Sequence, residues 1–175
     1  MAIKDSLSDL GKIKLVECNY SQYSSHYDAF KVGDILPTFN PKMGGGALMD
    51  INIYYNIHFV VSLFGPPTAV SYSPNIENGI NTSGILILDY PNKKIVCIGA
   101  KDSTSDIRST VQGTNGAVVV NGATNIVKQL KNQDISEINV TVNSHRMFEE
   151  FVAFNTIVAT HDLVKAKERL VVVEW

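Results

Sequence analysis

The second half of the chain is a succession of short apolar segments separated by turn signals, and this pattern restricts the fold more than any other feature. Pro91-Asn92-Lys93 lies between two such segments, and Asn115-Gly116 lies between the next two. Asn-Gly between apolar runs is the strongest short signal for a tight hairpin. The predicted strands cover residues 12–19, 70–72, 84–90, 94–100, 107–112, 117–120, 125–131 and 137–142. Connections this short join antiparallel neighbours, so we expect one large, mostly antiparallel sheet.

Two further segments are typical of helices. Ala47 to Phe64 is the most apolar part of the chain, too long for one strand, and it ends at Gly65-Pro66-Pro67, a helix-stop signal. Its β-branched residues leave a strand as the alternative. Near the end, apolar residues recur at three- and four-residue spacing and predict a helix facing the sheet: Met147, Phe148, Phe151 and Val152. A last helix is predicted over residues 163–173.

The predicted fold class is therefore α+β, with helices packed on one face of the sheet and residues 1–175 forming a single domain. Residues 20–43 show no clear periodicity and are expected to form a long loop, of the kind that often lines a site. The other face of the sheet must be polar or covered, and we expect it to mediate oligomerisation.

Composition excludes several classes of function. The net charge is −2 and there is no basic stripe, which argues against a nucleic-acid partner. The longest apolar run, residues 57–64, is too short to span a membrane. The N-terminus has no signal-peptide pattern, so we expect a cytoplasmic protein. Cys18 and Cys97 lie in separate apolar runs and are expected to be buried, reduced thiols.

The predicted helix after the glycines carries three polar groups in line. Asp50, Tyr54 and His58 follow each other at four-residue intervals and would share one helix face. A carboxylate, a phenol and an imidazole in this order could relay a proton. The alternative is a polar stripe whose partners are loop backbone or solvent.

The other candidate residues each have a functional interpretation and a purely structural one. Gly44-Gly45-Gly46 could offer backbone N–H groups to an anion, or could let the chain pass close to the sheet. Lys101 could direct a charge into a cleft, or could be a solvated strand end. His26, His145 and His161 have no partner at metal-ligand spacing, so no metal is predicted.

The segment Gly44-Gly45-Gly46-Ala47-Leu48-Met49-Asp50-Ile51-Asn52-Ile53-Tyr54 resembles the Gly-Gly-x-x-x-Asp-x-Gly-x-(His/Tyr) segment of the Gfo/Idh/MocA oxidoreductases. The similarity extends through residues 63–67 and 80–84 and covers nearly the whole chain, but only the second half of a family member. Asn52 stands where the family has glycine. The resemblance implies a substrate-binding and oligomerisation domain whose partner, a Rossmann domain that holds NAD or NADP, is missing from this chain.

The resemblance also implies roles for individual residues. Asp50 corresponds to an acidic residue of the substrate pocket, and Tyr54 to the catalytic acid or base, which is Tyr in members that resemble dihydrodiol dehydrogenase. Gly45, His58 and Lys101 are our further candidates for substrate binding. A free phenol titrates near pH 10, so Tyr54 would need a neighbouring cation. The family's Glu-Lys-Pro lysine, which supplies that cation, has no counterpart here.

Three functional hypotheses follow. In the first, the chain is the substrate-binding half of an NAD(P)-dependent oxidoreductase acting on a sugar, polyol or related small molecule, with no cofactor bound to the chain itself and no turnover alone. In the second, it is a non-catalytic, dimeric module that binds a small ligand or a protein. In the third, Asp50, Tyr54 and His58 form a self-contained enzyme.

Overall fold

The computed structural model describes residues 6–44, 46–48, 52–122, 126–131, 134–138, 148–161 and 163–164. Within these residues the strands are β1 (Ile13–Ser21), β2 (Ala69–Glu77), β3 (Ile80–Tyr90), β4 (Lys93–Ala100), β5 (Arg108–Gly113), β6 (Gly116–Asn121), β7 (Val127–Lys131) and β8 (Asp134–Ile138). The α-helices are α1 (Ser25–Lys31), α2 (Pro41–Gly44), α3 (Asn52–Phe64) and α4 (Phe148–Thr160).

The strands form one sheet in the order β2-β3-β4-β1-β5-β6-β7-β8. Every neighbouring pair is antiparallel except β1 and β4, which run parallel. The predicted α+β class and the mostly antiparallel sheet are thus confirmed. The parallel pair arises because the chain leaves the sheet after β1, forms α1 to α3, and re-enters it through the β2–β3–β4 meander.

Helix α3 packs on β1 and β4 and builds the main core with them. Ile53 and Val60 are fully buried against Val16, Cys18 and their neighbours on β4, Ile95 and Cys97. The helix ends as the sequence predicts: Gly65 has φ 73° and donates its N–H to Val61 O, and the Tyr90 hydroxyl donates to Gly65 O at 2.6 Å.

The two cysteines are buried free thiols on the parallel strand pair, as predicted. Cys18 and Cys97 are directly opposite each other in the register. A hydrogen bond between the thiols, together with burial, raises the pKa of Cys97. The Cys97 side chain is therefore a neutral thiol at neutral pH.

The segment expected to be a long loop contains regular structure, so that prediction is wrong. Strand β1 extends to Ser21, and Ser24 caps α1 by accepting a hydrogen bond from the His26 N–H. A short 3₁₀ turn follows at Pro37–Phe39. The aromatic side chains of this segment pack together, with ring centroids 5.4 to 6.4 Å apart: Tyr27, Phe30 and Phe39.

Helix boundaries also differ from those predicted. Helix α3 begins at Asn52 instead of residue 47, because Ala47 and Leu48 lie in a buried turn. The predicted C-terminal helix is present as α4, but Phe148, Phe151 and Val152, which were expected to face the sheet, are exposed. Most of the predicted helix 163–173 lies outside the described residues. None of the described helices combines the length and the apolar character that crossing a membrane requires.

Candidate functional site

The candidate site lies where the parallel strands β1 and β4 end together. Ser21 and Ala100, the last residues of the two strands, are paired in the register. Helix α3 begins beside them, because Asn52 Nδ2 donates to Tyr20 O at 3.0 Å and to Ala100 O at 2.9 Å. The residue that replaces the expected glycine therefore attaches the helix to both strands at this edge.

One helical turn later, Asn56 repeats this contact. Its Nδ2 donates to Ile98 O on β4 at 2.9 Å and to Cys18 O on β1 at 3.5 Å. Asn56 and Asn52 are both buried, and each amide places its donors where carbonyl oxygens need partners. The position of α3 over the site is thereby fixed along its first two turns.

The exposed face of α3 presents Tyr54 and His58 together. Their rings stack with centroids 6.2 Å apart and an interplanar angle of 27°. Tyr54 is 36% exposed, and Tyr55 beside it stacks on Tyr20 of β1 at 5.8 Å. A phenol and an imidazole are therefore accessible side by side near the start of the helix. Asp50 and Gly45, which the sequence places with them, lie outside the described residues.

Lys101 follows β4 directly and is buried, with 6% exposure, instead of forming a solvated strand end. Its backbone is held on both sides, since its N–H donates to Thr82 O and its carbonyl accepts from the Ser24 N–H. The ammonium nitrogen lies 5.9 Å from the centroid of the Phe39 ring, a cation–π arrangement. A cation is thus retained at the edge of the sheet where α3 begins.

Asp102 is the anchor of a hydrogen-bonded group that sequence reasoning did not find. Its carboxylate accepts from Thr82 Oγ1 at 2.8 Å, Ser83 Oγ at 2.7 Å and Ser103 Oγ at 2.9 Å. Partial burial acts to raise the pKa of Asp102, but the hydroxyl donors outweigh it and hold that pKa below its usual range. The site therefore contains a fixed anion next to the Lys101 cation.

The turn before α3 passes close to β3. Gly46 has φ 99°, and a Cβ at this position would lie 2.6 Å from Asn81 Oδ1. Asn81 is itself held, because its Nδ2 donates to the Tyr72 hydroxyl at 2.9 Å. Of the two interpretations of the glycine run, this contact favours close approach of the chain to the sheet.

Helix α1 contributes a tyrosine-rich group beside this edge. The Tyr27 hydroxyl donates to the Glu77 carboxylate at the end of β2, at 2.9 and 3.1 Å, and this hydrogen bond raises the pKa of Tyr27. Asp28 forms an ion pair with Lys31 at 2.8 Å and accepts from the Tyr23 hydroxyl at 2.7 Å. The Tyr27–Glu77 hydrogen bond ties α1 to the end of β2, and the Asp28 contacts stabilise α1 itself.

The chemistry available here is that of a polar-ligand site. The end of β4 carries a buried cation followed by a fixed carboxylate, and the first turns of α3 carry an exposed phenol and imidazole. Groups of these kinds can hydrogen-bond to hydroxyl or carbonyl groups and exchange a proton with them. Among the described residues no group of three His, Cys, Asp or Glu side chains is placed to hold a metal ion.

These features define an α+β domain with a polar site at the end of its parallel strand pair, beneath the start of a single packed helix. The family model of the GFO/IDH/MocA C-terminal domain matches residues 7–119. The chain belongs to this family, as its glycine–aspartate–tyrosine segment indicated.

Comparison with known proteins gives relatives of the same kind. The chain is 36% identical over 119 residues to the scyllo-inositol 2-dehydrogenase (NADP(+)) IolU of Bacillus subtilis (strain 168), covering 67% of this chain and 36% of the relative. It is 28% identical over 163 residues to the uncharacterized oxidoreductase YgjR of Escherichia coli (strain K12), and this match covers 91% of this chain and 49% of the relative.

Among solved structures, the aldose-aldose oxidoreductase from Caulobacter crescentus, complexed with glycerol, is similar with a TM-score of 0.72. Its sequence identity is 17%, and the match covers 91% of this chain and 48% of the other. This likeness bears on the fold alone. The chain spans at most about half the length of the curated relatives that it matches.

Proposed function

We propose that this chain provides the substrate-binding part of an NAD(P)-dependent oxidoreductase that acts on a sugar, a polyol or a related hydroxyl or carbonyl compound. The observation that carries the proposal is the pairing of Tyr54 with His58 on the exposed side of α3, at the sheet edge where Lys101 and Asp102 lie. Membership of an oxidoreductase family supports it.

In this proposal the residues have separate tasks. Tyr54 Oη takes or returns the proton of the reacting hydroxyl group, since a phenol beside an imidazole is suited to proton exchange. Asp50, Gly45, His58 and Lys101 bind the substrate's other polar groups. Burial of Lys101 favours this task, because a cation in a water-poor environment attracts hydrogen-bond acceptors more strongly than an exposed one does.

The chain lacks the sequence signature of a dinucleotide-binding site. It has no G-x-G-x-x-G after a strand, the segment that binds the pyrophosphate in Rossmann domains. We therefore assign NAD or NADP to a Rossmann domain outside this chain and derive no step through it. The proposed partners are that domain, a small-molecule substrate and a second copy of the sheet.

Substitution of Tyr54 tests the proposal in the longest natural protein that contains this chain. Tyr54→Phe keeps the ring and removes the proton-transferring hydroxyl, so we expect kcat for polyol or sugar oxidation to fall by about 10²-fold or more. Tyr55→Phe is the matched control, since Tyr55 is the adjacent tyrosine on the same helix and should change kcat by less than about three-fold.

Calorimetric titration of the isolated chain with NADH and NADPH gives an independent test. We expect no binding at micromolar concentrations. Micromolar binding by this chain alone, or full activity of Tyr54→Phe, would contradict the proposal. The alternative is that the chain is a non-catalytic, dimeric binding module. In that case neither Tyr54→Phe nor Tyr55→Phe should alter any dehydrogenase activity of the natural protein.

A further inference from the structure

The opposite end of α3 borders a second cavity, which none of the functional residues above enters. It has a volume of about 820 Å³. Lys12 and Lys14 approach it from the start of β1, and Lys93 and Lys94 from the start of β4. Its apolar walls include the rings of Phe64 and Tyr90. We call this cavity the lysine groove.

The lysine groove is separate from the candidate active site. Phe64 and Tyr54 are ten residues apart on α3, which corresponds to about 15 Å along a helix. The groove also lies at the amino end of β1, whereas the candidate active site lies at its carboxyl end. A ligand in one site therefore does not occupy the other.

The charges of the groove are unbalanced. Lys94 pairs with Asp89, and Lys93 Nζ lies 5.1 Å from the centroids of both the Phe64 and Tyr90 rings. In the described part of the chain, no carboxylate lies within ion-pair distance of Lys12 or Lys14. A chain with a net charge of −2 thus gathers four of its fifteen Lys and Arg residues around one cavity.

Compensation of the helix dipole does not account for this cluster. The carboxyl end of a helix carries about half a negative charge, and Asp89 adds one full charge. Lys94 and Asp89 cancel each other, and the ammonium groups of Lys12, Lys14 and Lys93 exceed the helix charge by about two and a half positive charges. Lys12 and Lys14 also belong to β1 and its approach, not to α3. This excess of positive charge favours the binding of an anion from solution.

We propose that the lysine groove binds a compact molecule that carries two or more phosphate groups on one small skeleton and is not a nicotinamide dinucleotide. Lysine ammonium groups are compact charges that suit phosphate oxygens, and several of them can share one polyanion. The volume falls within the range of small-molecule sites, about 300 to 1,000 Å³. The two aromatic rings offer an apolar surface for the remainder of the ligand. This inference does not rest on the proposed oxidoreductase function.

Titration calorimetry of the full chain with inorganic tripolyphosphate tests the inference. We expect saturable binding with one site at about 0.01 M ionic strength, weakening at about 0.15 M as screening shortens from about 30 Å to about 8 Å. The double variant Lys12→Gln/Lys14→Gln should weaken binding about ten-fold or more, because each lost ammonium removes a charge-assisted contact.

The matched control removes the same charge elsewhere. Lys31→Gln/Lys128→Gln changes two exposed lysines that pair with Asp28 and Glu137 and do not line the groove. It should change the affinity by less than about two-fold. Thermal unfolding of both double variants checks that each is folded. Tyr54→Phe should bind tripolyphosphate with the same affinity as the unmodified chain. The test of the lysine groove is therefore independent of the test of the proposed function.

Three results would overturn the inference. The first is the absence of binding heat at low ionic strength. The second is an equal loss of affinity in both double variants, which would indicate a diffuse field instead of a site. The third is tighter, groove-dependent binding of a polyglutamate peptide of matched charge, which would make the groove a surface for acidic peptides.

Discussion

Individual side chains fix the position of α3 above the candidate site. Asn52 would be a small, flexible glycine in the family pattern, yet here its amide contacts the backbone of two strands. A buried amide without partners would cost about 1–3 kcal/mol, whereas a satisfied one favours a single arrangement. The substitution at this position therefore gives the first turn of α3 a fixed attachment that glycine could not provide.

Asp102 should contribute stability that depends on pH. Three hydroxyl groups donate to its carboxylate, so Asp102→Asn should lower the free energy of unfolding by about 1–2 kcal/mol at pH 7. The native pKa of Asp102 lies below its unfolded value of about 3.9. Its contribution is therefore complete well above pH 4 and is lost as the pH falls through the native pKa.

Urea unfolding of both proteins between about pH 7 and pH 3 measures this contribution. The difference between wild type and Asp102→Asn should stay constant down to about pH 5 and then shrink. Asp34→Asn is the control, because Asp34 is an exposed carboxylate just after the turn that follows α1 and should show a difference within about 0.5 kcal/mol throughout. A difference for Asp102 that does not change with pH would refute the role of its charge.

Among individual residues, the sequence identifies those whose position is indicated by their neighbours along the chain. Tyr54 and His58 share a helix face because of their spacing, and Lys101 was identified by its place after an apolar strand. Thr82 and Ser83 carried no such signal, since they reach Asp102 from about twenty residues away. Long-range contacts of this kind depend on strand register, which a single sequence does not specify.

Whole helices and strands are predictable where residues such as glycine, proline or a capping serine mark their ends. The glycine and prolines after Phe64 mark the end of α3, but its start was placed five residues early, because buried turn residues look as apolar as helical ones. Helix α1 was missed since seven residues show too little periodicity, although its capping Ser24 and the Asp28–Lys31 pair are usable signals. Nothing local predicts that β1 pairs with β4.

The turn that leads into α3 should tolerate no side chain at Gly46. Gly46 and Gly33 both have positive φ, 99° and 89°, so alanine is strained at each. Around Gly33 a Cβ would meet nothing within 4 Å, whereas at Gly46 it would meet Asn81. Gly33→Ala should therefore cost about 1 kcal/mol, and Gly46→Ala about 1–3 kcal/mol more, because the crowded turn must shift.

Urea unfolding of the two alanine variants measures the difference directly. Because the backbone strain is shared, Gly33→Ala serves as the control and the excess cost of Gly46→Ala reports the contact with β3. Equal costs in both variants would show that the turn can move away from Asn81 freely. In that event the start of α3 would not be held by this contact.

At the scale of the molecule, two groups of exposed apolar side chains stand out among the described residues. The face of the sheet opposite α3 exposes Leu15, Ile85 and Ile87, which alternate with the buried core residues of their strands. Helix α4 exposes Phe151 and Phe154. Exposed apolar side chains gathered on one surface are typical of interaction sites. This distribution supports the proposal that the chain works as part of a larger assembly.

The proposed contact between two sheets predicts the outcome of one substitution on the open face. Ile87 is 41% exposed, and a charge there would be buried without a partner if two sheets packed together. We expect Ile87→Arg to convert an oligomer into monomers in analytical ultracentrifugation. Val32→Arg, at a position that is 82% exposed after α1, should leave the oligomer intact. Each of the substitutions Ile87→Arg and Phe151→Arg places a charge on only one of the two exposed apolar surfaces. If Phe151→Arg dissociates the oligomer and Ile87→Arg does not, the interface lies on α4 and the proposed sheet contact is refuted.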